Sequence, residues 1–193
     1  MWYRPVRERP VERVVAAAGR LLHETGCDEV SLLSLSSCDY GGVAEAVARI
    51  RELRPGLRVS LPSLRVDAFG VEIASQLQRG RRTGLTFAPE AGTWRMRQVI
   101  NKLIREEDLY AAVRSAYSQG WRRMKLYFLT GLPTEADPDT YGIVEMARNC
   151  VRIGRGYTNR ASVTVSLGGF VPKPHTPFQW FGQNTSAELR RKV

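Results

Sequence analysis

The pattern that decides the fold lies in residues 123–170, RMKLYFLTGLPTEADPDTYGIVEMARNCVRIGRGYTNRASVTVSLGGF. The apolar runs RMKLYFLT and SVTVSLGGF predict two strands, and PDTYGIVEMARNCVRIG between them predicts an amphipathic helix. A helix of this length can carry the chain from the end of one strand to the start of a parallel neighbour. The stretch therefore predicts a βαβ unit with a parallel sheet and a right-handed crossover.

The same alternation runs through the rest of the 193 residues. Helices are predicted over residues 10–25, 43–53, 71–80, 94–104, 106–120 and 138–154, with a capped helix start in 185–193. Strands are predicted over residues 29–36, 57–65, 83–89, 123–130 and 162–170. The strands lack a clean alternation of apolar and polar residues, which is typical of a parallel sheet covered on both faces.

Two architectures fit this order of elements, a doubly wound open sheet and a full or partial β/α barrel. No GxGxxG motif follows any predicted strand, which counts against a dinucleotide-binding open sheet. The chain starts on a helix and polar residues gather after each strand, and both details favour the barrel. We therefore expect the α/β class, as a partial parallel TIM-like barrel with its first strand missing.

Composition restricts the class of protein. Hydrophobic residues make up 43% of the chain and charged residues 25%, which is typical of a globular domain. No apolar run is long enough to span a membrane, and the N terminus lacks a secretory signal, so a cytoplasmic protein is expected. Cys27, Cys38 and Cys150 are widely spaced, which argues against a self-contained zinc or iron–sulfur site and indicates reduced thiols.

The net charge of +10 comes almost entirely from scattered arginines. A positive field attracts polyanions, so nucleic acid is one candidate partner. The alternative is an arginine-rich surface that is simply solvated.

Candidate ligand-binding residues lie at the strand ends, because parallel α/β folds bind ligands at the carboxyl ends of their strands. They are Ser34, Ser36 and Asp39, then Ser63 and Arg65, then Glu90 and Thr93, then Thr130, Gly131 and Glu135, and finally the segment 166–180. Five polar ends in succession predict a rim that accepts a ligand. Each end also has a structural alternative: the serines can satisfy backbone groups, a carboxylate such as Glu90 can oppose a helix dipole, and His175 can be a packed loop residue.

Three motifs follow one another on successive predicted strands: FAPEAGTWRMRQVINK (residues 87–102), YFLTGLPTEADPDT (127–140) and FVPKPHTPFQW (170–180). Together they resemble the radical S-adenosylmethionine (radical SAM) superfamily, in particular its B12-binding-domain-associated uncharacterised subgroup and, more distantly, the methylthiotransferase and Elongator-type enzymes. The resemblance covers nearly the whole chain. It implies that residues 1–193 are one radical SAM core domain, truncated at its N terminus, with a partial (β/α)6 barrel.

The resemblance also implies two cofactors, S-adenosylmethionine (SAM) and a [4Fe–4S] cluster. In the family, a CxxxCxxC motif after the first strand supplies three cluster ligands, but this chain lacks that motif and its three cysteines do not match it. By resemblance, residues at four strand ends contact SAM. The methionine end would lie near Ser34, Ser36 and Asp39, the ribose or sulfonium near Glu90, the nucleoside near Gly131 and Leu132, and adenine near Val171 and Pro172. Lys102, Lys173 and His175 are candidates for the substrate side.

The reaction implied for the intact protein is reductive cleavage of SAM to methionine and a 5′-deoxyadenosyl radical, which abstracts hydrogen from an unknown substrate. Without cluster ligands, this chain alone is expected to be inactive. A cobalamin-binding-like domain in the full-length parent is a further expected partner. Two alternatives stay open: a basic RNA-binding or tRNA-modification module, and a barrel hydrolase or aldolase, for which the strand ends offer no convincing base and nucleophile.

Overall fold

A computed structural model describes residues 7–34, 37–61, 71 and 84–193. The chain divides into two compact units, residues 1–65 with 69–82, and residues 66–68 with 83–193. Most of the predicted helix 71–80 lies outside the described residues, as do three predicted site residues, Ser36, Ser63 and Arg65.

The first unit contains a two-stranded parallel sheet and two amphipathic helices. Its elements are α1 (Val11–Thr25), β1 (Glu29–Ser31), α2 (Val43–Glu52) and β2 (Arg58–Ser60). Helix α1 ends at Gly26, whose φ of 66° lies in the left-handed region that suits glycine. One face of each helix and both strands share an apolar cluster of Ala18, Leu22, Val30, Val43, Val47, Ile50, Leu57, Val59 and Leu61.

The second unit contains a three-stranded parallel sheet in the order β3-β4-β5. Its elements are β3 (Leu85–Glu90), α3 (Trp94–Val99), α4 (Glu106–Ser118), β4 (Arg123–Thr130), α5 (Asp137–Arg155), β5 (Ser162–Gly169) and α6 (Ser186–Lys192). Helix α5 packs against β5 and β4. One face of β4 is fully buried, since Met124, Leu126 and Phe128 are at most 2% exposed.

The predicted α/β class with parallel strands is confirmed, and the predicted strand 123–130 has the bounds of β4. The predicted strand 29–36 is too long, because pairing with β2 ends at Ser31 and the Ser37 hydroxyl donates to the Leu32 carbonyl. The predicted helix 94–104 is also too long: α3 ends at Val99, and Asn101 has a φ of 55°. In the parts of the chain that the structure describes, no helix is long and apolar enough to cross a membrane.

Candidate cofactor-binding site

The loops that follow β3, β4 and β5 converge at one edge of the sheet, because parallel strands end at the same edge. Ala91, Leu132 and Phe170, one from each loop, are at most 8% exposed and form one apolar cluster with Met96. The Phe170 amide also donates to the Thr130 carbonyl at 2.8 Å, which continues the pairing of β4 and β5. The three loops are therefore held together by packing and by the backbone.

Glu90 ends β3 in an unusual conformation. Its φ is 70°, and the pairing of β3 with β4 shifts register between Phe87 and Glu90. The side chain of Glu90 is 31% exposed, and its carboxylate lies 3.7 Å from Lys102 Nζ. A positive φ in a residue with a Cβ raises the energy by about 1–3 kcal/mol, so the surrounding structure must hold it in place.

Backbone strain is concentrated in the three motifs. In the described part of the chain, four non-glycine residues have a positive φ: Glu90, Asn101, Thr134 and His175. All four lie within residues 87–102, 127–140 or 170–180. Strain of this kind is found preferentially at ligand-binding and catalytic sites.

The turn after β4 is held by a buried ion pair. The Gly131 amide donates to Glu135 Oε2 at 2.6 Å, and Lys192 Nζ of α6 lies 2.8 Å from the same oxygen. The side chains of Glu135 and Lys192 are only 3% and 6% exposed. Gly131 has a φ of 78°, and a Cβ there would lie 2.9 Å from Asn184 Oδ1 and 3.0 Å from Leu189 Cδ2. Both the positive φ and the lack of space for a Cβ require glycine at this position.

The loop after β3 is tied to the first turn of α5 through Asp139, which is 4% exposed. Its carboxylate accepts hydrogen bonds from the Thr93 hydroxyl at 2.5 Å, from the Ala136 amide at 2.9 Å and from the Arg95 guanidinium. Burial by itself raises the pKa of Asp139, but the bonds from Arg95, Thr93 and Ala136 together lower that pKa below its ordinary value.

Arg97 is the second buried charge that supports this loop, and it is 1% exposed. Its guanidinium donates to the Ala91 carbonyl at 3.1 Å, to the Ile104 carbonyl at 2.8 Å and to Glu106 Oε1 at 3.1 Å. The rule that ligands bind at the carboxyl ends of strands selected neither Arg97 nor Asp139. Apart from the Ala136 amide at the start of the same helix, the partners of Asp139 lie in the loop after β3 and in α3, and those of Arg97 lie outside α3, so neither role could be found from local sequence.

The structure brings five of the residues that the resemblance assigns to SAM to these loops: Glu90, Gly131, Leu132, Val171 and Pro172. The side chain of Leu132 is buried in the apolar cluster, so only its backbone can face a ligand. Val171 is 54% exposed and Pro172 is half-buried, both directly after Phe170.

The predicted residues Ser34 and Asp39 belong to the first unit. Ser34 Oγ lies 3.2 Å from Ser37 Oγ, which in turn donates to the Leu32 carbonyl at 3.1 Å. The hydroxyl that satisfies the backbone at the end of β1 is therefore that of Ser37, and Ser34 bonds to this hydroxyl. Asp39 is exposed at the end of a short 3₁₀ helix, Ser37–Asp39.

The substrate-side candidates lie near the same loops of the second unit. Lys102 pairs with Glu90, and the Lys173 carbonyl accepts a hydrogen bond from the Thr176 hydroxyl at 2.6 Å. His175 has a φ of 62°, and its amide donates to Gln179 Oε1 at 3.1 Å. Gln179 thus holds the strained backbone of the proline-flanked loop.

The described cysteines lie outside any group that could hold a metal ion. Within the described ranges, no group of three or more His, Cys, Asp and Glu side chains could hold a metal ion. Cys27 is exposed and Cys150 is buried, both as free thiols, and burial raises the pKa of Cys150 to about 12. With these spacings, the residues of this chain do not fit a [4Fe–4S] cluster.

Comparison with known protein families decides the class. The model of the radical SAM superfamily matches residues 1–147, which is more than half of the chain. The chain belongs to the radical SAM superfamily. The prediction from the three motifs is thereby confirmed, and the cofactors that this superfamily uses are SAM and a [4Fe–4S] cluster.

The chain is also similar to individual proteins, one in sequence and others in fold. The uncharacterized protein MJ0966 of Methanocaldococcus jannaschii is 31% identical over 177 residues, which cover 92% of this chain and 37% of that protein. The chain thus spans well under half of that relative. Two crystal structures of Streptococcus suis SuiB share the fold. The SAM-bound form matches with a TM-score of 0.57 at 15% identity over 98% of this chain and 40% of SuiB. The form bound to the precursor peptide SuiA matches with a TM-score of 0.58 at 14% identity, over 100% and 40%.

Proposed function

We propose that this chain is the SAM-binding part of a radical SAM enzyme that acts on an organic substrate. The observation that carries the proposal is the convergence of the three motif-bearing loops in one apolar cluster, with strained residues beside it. Buried Arg97, Asp139 and Glu135 hold these loops, while Glu90 is 31% and Val171 54% exposed. A preorganised and largely apolar rim suits a nucleoside, which needs few but well-placed polar contacts.

The proposed roles follow the order of the strands. Glu90, held away from the usual β conformation, contacts the ribose or the sulfonium end of SAM. The Gly131 turn and the Leu132 backbone cradle the nucleoside, and the backbone of Val171 and Pro172 meets the adenine ring.

For the methionine end of SAM, contacts with Ser34, Ser36 and Asp39 stay a prediction, in which a serine hydroxyl or backbone group accepts from the amino group. SAM carries a zwitterionic amino acid, so small polar residues leave the space it needs.

Cluster ligands have to come from outside these 193 residues, because the spacing of the cysteines does not fit the cluster. The cluster, when bound, supplies the electron for SAM cleavage. We expect the isolated chain to bind the nucleoside but to leave SAM intact. The residues of this chain bind and orient the cofactor and exclude water from it.

Calorimetric titration of the chain with SAM and with 5′-deoxyadenosine tests the binding. We expect saturable binding of both, and Glu90→Gln should weaken SAM binding about tenfold, the size of one charge-assisted hydrogen bond. Glu24→Gln on α1 is the matched control, since it removes the same charge at an exposed position. Absence of binding at millimolar ligand, or equal losses in both variants, would contradict the proposal.

Anaerobic incubation of the isolated chain with iron, sulfide, reductant and SAM tests whether the chain leaves SAM intact. We expect no 5′-deoxyadenosine above the protein-free control. Its formation would show that the chain carries its own cluster ligands.

The substrate is proposed only by class. SuiB was crystallised with the precursor peptide SuiA, which supports an organic substrate distinct from SAM. RNA as a partner, which the net charge of +10 suggests, stays a prediction, as do the cobalamin-binding domain and the cytoplasmic location. RNA binding whose affinity falls steeply with salt concentration would support RNA as a partner.

A further inference from the structure

One face of the three-stranded sheet carries polar side chains where a parallel sheet is ordinarily apolar. We call this the polar face and define it by Thr86 of β3, Lys125 and Tyr127 of β4, and Thr164 and Ser166 of β5; exposed Arg123 of β4 and Ser162 of β5 lie on the same face at the amino ends of these strands. Side chains alternate along a strand, so these residues lie opposite the buried face of β4. The sheet thus has one apolar face and one face with hydrogen-bonding groups.

Register places the polar side chains in two adjacent rows. Lys125 pairs with Thr86 on one side and with Thr164 on the other, and Tyr127 pairs with Ser166. Neighbouring strands lie about 4.8 Å apart, so the hydroxyls of both threonines flank the base of the lysine side chain. One cation, one phenol and three hydroxyls therefore share a small area.

Lys125 is the only charged side chain among the five residues, and it is half-buried. Its Nζ lies 4.5 Å from the centroid of the Tyr127 ring. In the described part of the chain, no carboxylate lies within salt-bridge distance of Lys125. The ring attracts the ammonium but accepts no strong hydrogen bond, so the three N–H donors of the ammonium stay available to an anion.

We infer that the polar face binds an oxyanion, a carboxylate or a phosphate of the substrate. Lys125 supplies the charge, and Thr86, Thr164 and Ser166 supply hydroxyl donors from the neighbouring strands. Tyr127 holds the ammonium over its ring and offers its own phenol to the ligand. This inference deepens the proposed function, on which it rests for the identity of the ligand as substrate, by giving that substrate an anionic group.

The polar face lies on the same strands as the rim, below their carboxyl ends. Tyr127 precedes Gly131 by four residues, which corresponds to about 13 Å along a strand. An anion held there leaves the rest of a substrate free to extend toward the loops after β3, β4 and β5. The polar face would thus anchor one end of a substrate without contacting the Gly131 turn.

Titration of the isotopically labelled chain with inorganic phosphate and, separately, with succinate tests the inference by backbone amide shifts in NMR spectra. We expect saturable shifts at Lys125, Tyr127 and Thr164, with dissociation constants in the millimolar range. Tighter binding of succinate identifies a carboxylate as the recognised group, and tighter binding of phosphate identifies a phosphate. Either outcome supports an oxyanion site.

Matched variants separate the site from general charge. Lys125→Gln should weaken binding at least tenfold and Lys125→Arg less than threefold. Arg148→Gln, which removes the same charge from an exposed position on α5, should change it less than twofold. Thr164→Val, at an exposed position, is the second variant should Lys125→Gln fail to fold, and it should weaken binding about threefold.

Absence of saturable shifts at the polar face, or equal losses in Lys125→Gln and Arg148→Gln, would overturn the inference. Titration of the same samples with 5′-deoxyadenosine distinguishes it from the proposed function. Lys125→Gln should bind the nucleoside as the unaltered chain does. Anion binding without nucleoside binding would refute the proposed function and leave the polar face as an oxyanion site.

Discussion

The two units of the chain use the same sequence signal, small polar residues after a strand, in different ways. In the first unit, β1 has three residues, Ser34 Oγ bonds to Ser37 Oγ, and the Ser37 hydroxyl donates to the Leu32 carbonyl. In the second unit the strands have six to eight residues, and their three end loops share one apolar cluster. The comparison teaches that the same local signal accompanies a short strand with local hydroxyl bonds in one unit and long strands with packed end loops in the other, so packing has to be known before the signal can be interpreted.

The units also differ in where their charges lie. The ion pairs of Arg49 with Glu12 and Glu45, in the first unit, are exposed to solvent. In the second unit Arg97, Asp139 and the pair of Glu135 with Lys192 are almost fully buried. Buried charges need complete hydrogen bonding, so their geometry is well defined. We therefore expect the second unit to lose much more stability when a charge is removed.

Arg97→Leu is the strongest test of this difference. It leaves the Ala91 carbonyl without its donor and Glu106 without its partner, so we expect the free energy of unfolding to fall by about 3 kcal/mol. Arg49→Gln is the control in the first unit and should leave the urea midpoint unchanged, because its pairs are exposed. Equal losses in the two variants would remove the distinction between the units.

Asp139→Asn should have the next largest effect, about 2 kcal/mol at neutral pH, because the carboxylate accepts three hydrogen bonds in a buried site. The pKa of Asp139 is lowered by folding, so its stabilisation is present above the unfolded pKa of about 3.9 and is lost as the pH falls below it.

Urea denaturation between pH 7 and pH 3 measures this dependence. Asp139→Asn should show a smaller loss of stability on acidification than the unaltered chain. Asp28→Asn in the first unit is the control, since Asp28 is 78% exposed, and it should follow the unaltered chain. An unchanged acid dependence in Asp139→Asn would contradict the role of Asp139.

Two glycines allow the smallest but best matched comparison. Gly56 and Gly131 both have a φ of 78°, but a Cβ at Gly56 meets nothing within 4 Å, whereas one at Gly131 meets Asn184 and Leu189. Gly56→Ala should lower stability by about 1 kcal/mol through backbone strain, and Gly131→Ala should lower it by about 1 kcal/mol more. Thermal denaturation of the two variants measures the difference. Equal destabilisation would mean that the turn after β4 is not held by α6.

The sequence predicted most elements of both units, because alternating apolar runs and amphipathic stretches are local signals. The strand 123–130 and the helix starts near 11, 43, 94 and 106 are examples. The end of β1 could not be predicted, since it depends on how far β2 remains paired with it. The end of α3 depends on the positive φ of Asn101, and the amphipathic pattern of residues 94–104 gives no sign of that conformation.

The candidate site was predicted in part. The rule that ligands bind at strand ends selected Glu90 and Gly131, which lie in the converging loops, and also Ser34, whose hydroxyl bonds locally. It could not find Arg97, because arginine is ordinarily exposed, or the pairing of Glu135 with Lys192, which are 57 residues apart. Lys125 and Tyr127 were missed because they lie within β4, where side-chain direction depends on the register of the sheet.

Amide shifts on addition of 5′-deoxyadenosine to the labelled chain test the central claim most directly. The account predicts saturable shifts that are largest at Glu90, Gly131, Leu132 and Val171, in the three loops of the second unit. Shifts confined to the first unit, or no saturable shift at any described residue, would contradict it.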